Sequence, residues 1–393
     1  MGKSQSDEQE PASFSRVAIE TGAGETSVKH QSKTKTTKSG NQLPMEGCII
    51  GLDVSDEYTH AAVLDGNGEL VEETRVRTRE VDVRRWLSRW RASVVALETG
   101  THARWMERVG RQCGHEMVVA DARRLRLIYA GTNKTDKLDA IKLARLARAD
   151  RELLYEVKHR EEEEHADLAV IAAREMLVEM RTAAINLVRG MVKSAGKRVG
   201  SCSSHKFSEQ ATEVIPDYLR NALAPMLEHI DELSERIREY DERIEHLAQT
   251  KYPETAVLRQ ISGVGSLAAL TFRLTIGRGE RFEHSRDVGC YVGLRPKRDQ
   301  SGEQDPGLGI SKAGNPRLRK TLVHCAHYIL GRFGPDTDLR RWGLKLAEGG
   351  RNAKKRAIVA VARKLAVLMH RLLVSQRDYE PLRQAQRQAG VAA

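Results

Sequence analysis

The chain has 393 residues, with 65 Lys and Arg against 54 Asp and Glu for a formal charge of +11, and is long enough for two or three domains with real cores. Five scattered cysteines without a CxxC pair exclude a disulfide framework and a cysteine-based zinc site. No segment reads as a signal peptide and no apolar run could span a bilayer, so a reducing cytoplasm is the expected setting. The charge is uneven: from Arg295 to Ala393 there are 21 Lys and Arg against 8 Asp and Glu, a surplus of 13. That concentration fits a polyanionic partner, most simply DNA or RNA, or else a well-solvated helical surface.

Residues 1–45 are rich in Ser, Thr, Lys, Gln and Gly and read as a disordered tail. Order is expected from Cys48. Runs through Val54, from Thr59 to Leu64, and from Glu69 to Arg75 read as strands, the last two joined at the Asp65-Gly66-Asn67-Gly68 turn. A helix near Val81–Trp90, a strand at Val94–Leu97, a helix near Ala103–Cys113, a strand at Met117–Val119 and a helix near Thr135–Ala149 follow. Three strands, then helix, strand, helix, strand, helix is the order of a ribonuclease-H-like α/β domain, here 46–152.

Within it, Asp53 ends one apolar run and Glu98 another, while Asp136 and Asp139 lie three apart, on one face of the expected helix. Four gathered carboxylates repel one another unless a cation lies between them, and oxygen ligands suit Mg²⁺ or Mn²⁺. Such ions serve phosphoryl transfer, which points to cutting or joining nucleic acid.

The middle of the chain, 153–252, is expected to be all-α. One segment, 160–197, has apolar residues at near-helical spacing. A second, from Leu219 through Ile230, Ile237 and Ile244 to Leu247, alternates steps of four and three like a coiled-coil seam. Pro225 suits a helix start, so the continuous helix is expected to begin there. An arm that helps dimerise is the favoured reading, an intramolecular antiparallel pair the alternative. The last domain, 253–375, is expected to be mainly helical, with a tail over 376–393. It opens on a helix-hairpin-helix pattern in which Gly263, Val264 and Gly265 form a turn whose N–H groups can meet a phosphate, or a plain turn between packed helices. Downstream, Gly293-Leu294-Arg295-Pro296-Lys297-Arg298 and Gly309-Ile310-Ser311-Lys312-Ala313-Gly314-Asn315, running into Arg317, Arg319 and Lys320, combine glycine with basic residues suited to a phosphate backbone. Ser301 lies between them before a glycine, with no His–Asp partner adjoining it in sequence; Ser311 is a rival better placed for phosphate contact or helix capping. His102, His115, His324 and His327 form no metal or triad pattern, and Trp86, Trp90 and Trp105 read as helix packing.

Taken together, the two sites resemble the DEDD-type transposases of bacterial insertion sequences, the group that includes the Piv-like DNA invertases. The likeness runs from about Cys48 to Leu373 and rests on the ordered acidic set and on the Ser301-Gly302 to Asn315 block. It implies a Holliday-junction-resolvase-like N-terminal domain and a serine-bearing C-terminal domain, with Asp53, Glu98, Asp136 and Asp139 as the metal-holding acids and Ser301 as the nucleophile. It further implies DNA ends and target as substrates, a homodimer or homotetramer, and a prokaryotic, nucleoid-associated setting. Some members are guided by a structured RNA, which would add RNA to the partners. The rival readings are a metal-dependent junction-resolving nuclease without a covalent intermediate, an actin-like ATPase, for which a second phosphate loop is lacking, and a catalytically silent nucleic-acid-binding protein.

Overall fold

A computed structural model describes residues 47–125, 136–277, 279–297, 308–350 and 352–383. They form two compact units meeting at Lys158 and His159. Among the described residues no helix is long and apolar enough to cross a membrane, and all five cysteines are free.

The first unit is a five-stranded mixed sheet: β1 (Ile49–Val54), β2 (Tyr58–Leu64), β3 (Leu70–Arg77), β4 (Val94–Glu98) and β5 (Glu116–Ala120), in the spatial order β3-β2-β1-β4-β5. The first three strands are antiparallel; β4 and β5 run parallel to β1. Between β2 and β3 the Asp65 carboxylate accepts from the Asn67 and Glu69 amides, and Gly68 takes the left-handed φ of 90° that the turn requires. Helices α1 (Glu80–Leu87) and α2 (Ala103–Gln112) cover one face. Ile50 and Leu52, Val95 and Leu97, and Met117 and Val119 point there, meeting Val83, Trp86, Leu87, Met106 and Val109, the two-residue period of a strand applied three times.

The other face carries α4 (Asp136–Ala149), which follows the single turn α3 (Ala122–Leu125). Its own residues at the interface are small or slender: Ala140, Leu143, Ala144 and Ala147. Opposite them Ala62, Gly51 and Ala96 lie in one row across β2, β1 and β4. A Cβ on Gly51 would run into the Ala140 carbonyl oxygen and come within 2.7 Å of the Ala144 nitrogen. The helix backbone therefore rests almost directly on the strand backbone. A turn over Arg151–Leu154, capped by the Asp150 side chain on Glu152 N, leads out of the unit.

The second unit is helical: α5 (Glu162–Ser194), α6 (Phe207–Val214), α7 (Asp217–Thr250), α8 (Ala256–Arg259), α9 (Ser266–Ile276), α10 (Ser285–Tyr291), α11 (Pro316–Leu330), α12 (Asp338–Ala347) and α13 (Ala353–Ser375). Helices α5 and α7 pair antiparallel within the chain, fixed in register by Arg174 on Asp241 and Arg181 on Ser234. Most of the expected seam is thus occupied from inside: Leu223, Ile230, Leu233, Ile237 and Ile244 are buried. Pro225 does not start the helix. Helix α7 begins eight residues earlier, after Pro216, and carries Pro225 within it; the proline forgoes one amide hydrogen bond, which burial of Leu223 and Leu227 with Phe207 and Val188 outweighs. In the stretch read as a helix-hairpin-helix, the single turn α8 leads through residues 263–265 into α9.

Helix α9 is the axis of this unit, buried from Ala268 to Ile276. Leu270 and Leu274 meet Val170, Ile171, Ile244 and Tyr252 of the α5–α7 pair, whereas Ala269, Phe272 and Ile276 meet the core made by α11 and α13. The Arg160 guanidinium donates to the terminal carbonyls of Leu274 and Thr275, satisfying groups a helix end leaves open.

Gly51→Val should cost about 2 kcal/mol or more of unfolding free energy by lifting α4 off the sheet, whereas Gly100→Ala, whose Cβ would meet nothing within 4 Å, should be close to neutral. Urea denaturation of both variants checks this.

Candidate nucleic-acid active site

The row beyond Ala62–Gly51–Ala96 on the α4 face is chemically different. Two residues along each strand the side chains point the same way, so His60, Asp53 and Glu98 follow Ala62, Gly51 and Ala96 on β2, β1 and β4. Asp53 pairs directly with His60. The parallel ladder ends at Leu52 opposite Leu97, so Asp53 and Glu98 stand at the next position on neighbouring strands. Helix α4 contributes Asp136 and Asp139 from its first turn, Asp139 immediately preceding the Ala140 that rests on Gly51. All four predicted carboxylates therefore come to one end of one face of the sheet.

Their neighbours were not foreseen. His60 Nε2 lies 3.9 Å from Asp136 Oδ2, Lys142 Nζ lies 3.3 Å from Asp139 Oδ1, and Lys137 pairs with Glu73 of β3 at 2.7 Å. Asp139 is the more enclosed of the two helix acids, its side chain 13% exposed against 65% for Asp136. The donor set is all carboxylate oxygen, as a hard divalent cation prefers. The side chains do not already close on one point: among the described residues no three His, Cys, Asp or Glu groups stand as a ready metal cluster. The backbone places the four at neighbouring positions of the sheet and of the first turn of α4.

Just beyond Asp53 and Glu98, the Trp105 indole donates to His102 Nδ1 at 3.0 Å. That leaves the proton on Nε2, 3.0 Å from Asp56 Oδ1. The pair bridges the loops that follow β1 and β4, which spacing in the sequence does not reveal. His115 is instead a buried structural group, its pKa lowered by burial, on Leu87 O.

In the second unit the two glycine-rich basic segments are the arms of one hairpin. Pro296 bridges Ile310, Lys297 N donates to Gly309 O, Ser311 N to Arg295 O, and Lys312 N to Gly293 O. The arms close tightly because Gly293 and Gly314, at φ 72° and 78°, leave no room for a Cβ against Ala313 and Tyr291 carbonyl oxygens. Cys290, Arg295, Pro296, Lys297, Leu308, Ser311 and Ala313 line a cavity of about 510 Å³ beside it. Arg295, Lys297 and Lys312 carry no ion pair among the described residues, so the cavity is cationic. Ser301 and Arg298 lie outside the described residues.

Several expected phosphate contacts have internal work. Arg319 donates to the Val292 and Ala313 carbonyls, at 3.0 Å each, and clamps the hairpin to α11. Asn315 caps α11 by accepting from Leu318 N, a contribution of about 1 kcal/mol. Arg317 and Lys320 both bind the Glu175 carboxylate on α5. Val264 is buried and its amide already donates to Ile261 O, Gly263 lies against the Tyr328 ring, and Gly265 is the N-cap of α9. Of these contacts, those of Arg317 and Lys320 with Glu175 join elements far apart in sequence.

Comparison with known proteins agrees with this geometry. A DEDD transposase model of the IS110 group matches residues 50–196, and a model described as Transposase IS116/IS110/IS902 family matches residues 255–340. The chain is 30% identical over 259 residues to the transposase for insertion sequence element IS1111A of Coxiella burnetii, covering 64% of this chain and 70% of that protein. It is 27% identical over 289 residues to the transposase for insertion sequence element IS1328 of Yersinia enterocolitica, covering 72% and 84%. A shorter likeness, 26% over 128 residues, links it to a pilin gene-inverting protein of Moraxella lacunata, covering 32% and 38%. The protein is a DNA transposase, an enzyme of recombination. It belongs to the IS110/IS116 family of insertion-sequence transposases.

The Glu175 node predicts a pH dependence. Partial burial alone would push its carboxyl up, but hydrogen bonds from Arg317 and Lys320, with their charges, outweigh it and hold the pKa below the usual range. A group depressed in the folded state contributes stability that is fully present above its unfolded pKa and is lost as pH falls through the folded value. Melting temperature should therefore fall less steeply with acid in Glu175→Gln than in wild type, checked by calorimetry across the carboxylate range.

Proposed function

We propose that the chain excises and inserts its insertion sequence with two chemical groups: the carboxylates of the first unit, in a ribonuclease-H-like arrangement, and a serine nucleophile in the second. The observation that supports it most is the placement of Asp53, Glu98, Asp136 and Asp139 at one end of the α4 face. These residues would hold a divalent cation, Mg²⁺ or Mn²⁺. A cation held there would polarise the scissile phosphate and favour loss of a proton from the attacking oxygen. Ser301 Oγ bonds to phosphorus, one phosphorus–oxygen bond to the sugar breaks, and the freed sugar oxygen takes up a proton. The phosphodiester is thereby conserved as a phosphoserine link that a second strand can reverse. Arg295, Lys297 and Lys312, at the hairpin cavity, neutralise phosphate charge.

DNA at the element ends and target is the substrate, in the prokaryotic cytoplasm. A structured guide RNA on the basic second unit and assembly into a dimer or tetramer complete the reading, supported by the charge surplus and by the family resemblance.

Two outcomes test the chemistry. Asp53→Asn should abolish strand cleavage and weaken Mn²⁺ binding, followed by calorimetric titration, while leaving the melting temperature close to that of wild type; cleavage at the normal rate would remove Asp53 from the site. Ser301→Ala should eliminate any protein that stays attached to DNA after denaturing lysis of cells carrying the native element. Metal-dependent nicks that survive Ser301→Ala without an adduct would instead establish a resolvase-type nuclease.

A further inference from the structure

Helix α11 ends at Leu330, and the chain turns through Gly331-Arg332-Phe333-Gly334 before α12. This turn is rigidly built. Arg340, from the first turn of α12, donates to the carbonyl oxygens of Ile329 and Gly331 at 2.5 and 2.6 Å, and Gly334 N closes on Gly331 O at 3.2 Å. A Cβ on Gly334 would run into the Ile329 carbonyl oxygen, and one on Gly331 would lie 2.9 Å from His327 O. Thr337 caps α12 and so sets Arg340 in place.

Yet the two side chains at the tip stand in water. Phe333 is 70% exposed, forgoing the burial that usually keeps a phenyl ring inside. The Arg332 guanidinium lies 4.4 Å over its ring and has no carboxylate partner among the described residues. Asp336, in the following loop, is locked to Arg341 by two hydrogen bonds, leaving Arg332 uncompensated. Tyr328, 45% exposed, with His324 and His327, continues the surface along one face of α11.

We propose that this turn is a stacking platform for an unpaired nucleobase, with Phe333 meeting the base and Arg332 the adjoining phosphate. It rests on the nucleic-acid-handling function proposed above. A single ring under one uncompensated guanidinium is too small an apolar patch for a protein partner. A strand of unpaired nucleotides offers both complements, π-faces and phosphates, and duplex DNA hides the former. The surplus of 13 positive charges from residue 295 onward supplies the long-range attraction.

The test is fluorescence-anisotropy binding of the full chain to oligo-dT and oligo-rU about 15 nucleotides long, and to a blunt duplex of similar length. Phe333→Ala should weaken binding to an unpaired oligomer about tenfold, within the range measured for loss of one stacked base, and leave duplex affinity and melting temperature unchanged. Phe333→Trp should restore binding, and its added indole emission should be quenched by the oligomer. Stronger binding of oligo-rU identifies RNA as the source of the base, stronger binding of oligo-dT identifies DNA, and either supports the platform. Wild-type affinity in Phe333→Ala, an equal loss on the duplex, or a change in sedimentation without a loss of binding would each overturn it, the last in favour of contact with a second copy. If the wild-type chain binds neither oligomer nor duplex at low salt, the nucleic-acid reading itself fails; if it binds both and Phe333→Ala matches it, only the platform does.

Discussion

The first unit depends on how closely α4 can approach β1. Helices packed on sheets through ordinary side chains stand a full layer away. Here Gly51, flanked by Ala62 and Ala96 on the neighbouring strands, removes that layer, and the backbone near Ala140 settles onto the strand. Everything chemical in the unit follows from this contact. Asp139 is one residue from Ala140 and Asp53 is two from Gly51, so the same packing that closes the core also brings the helix acids to the strand acids. An intervening side chain would separate them by the width of a methyl group or more. The first turn of α4 is also where a helix favours negative charge, which lowers the cost of placing two aspartates together.

The second unit solves a different problem, that of organising a strongly basic chain. Much of its positive charge is turned inward as a set of clamps on backbone oxygen: Arg160 on the end of α9, Arg319 across the hairpin arms, Arg340 on the end of α11. Arg273, 3% exposed, is held between Glu164 and Glu254, a buried charge that is tolerable only because both partners are present. Guanidinium suits such work, since its planar fork can satisfy two acceptors at once. Other cations carry no carboxylate partner among the described residues, Arg295, Lys297 and Lys312 at the hairpin cavity and Arg332 at the α11–α12 turn among them.

How much of this could be read from the residues alone differs by feature. The strands and helices of the first unit fall within a few residues of their expected limits, because apolar periods of two and of three to four are local signals. The acids at Asp53 and Glu98 stood out because each interrupts the end of an apolar run. His60 was overlooked, although the hairpin between β1 and β2 sets it opposite Asp53 once the register is known. The seam on α7 was visible, but its occupant was not: a heptad pattern specifies an apolar stripe and leaves open whether the covering helix comes from the same chain. Arg174 on Asp241 and Arg181 on Ser234 decide that, across 67 and 53 residues of sequence.

The sequence by itself determined the kinds of element, the order in which they occur, and the types of side chain available for chemistry, since each of these is written in spacing over a turn or two. Tertiary structure decided which polar groups face one another. Arg317 as a partner of Glu175 is the same residue type that a phosphate site would use, and nothing within a dozen residues of it distinguishes the two roles. A guanidinium is satisfied by whichever acceptor the fold delivers, and for Arg317 that acceptor, 142 residues away, is supplied by long-range packing of apolar surfaces in which the polar group itself takes no part.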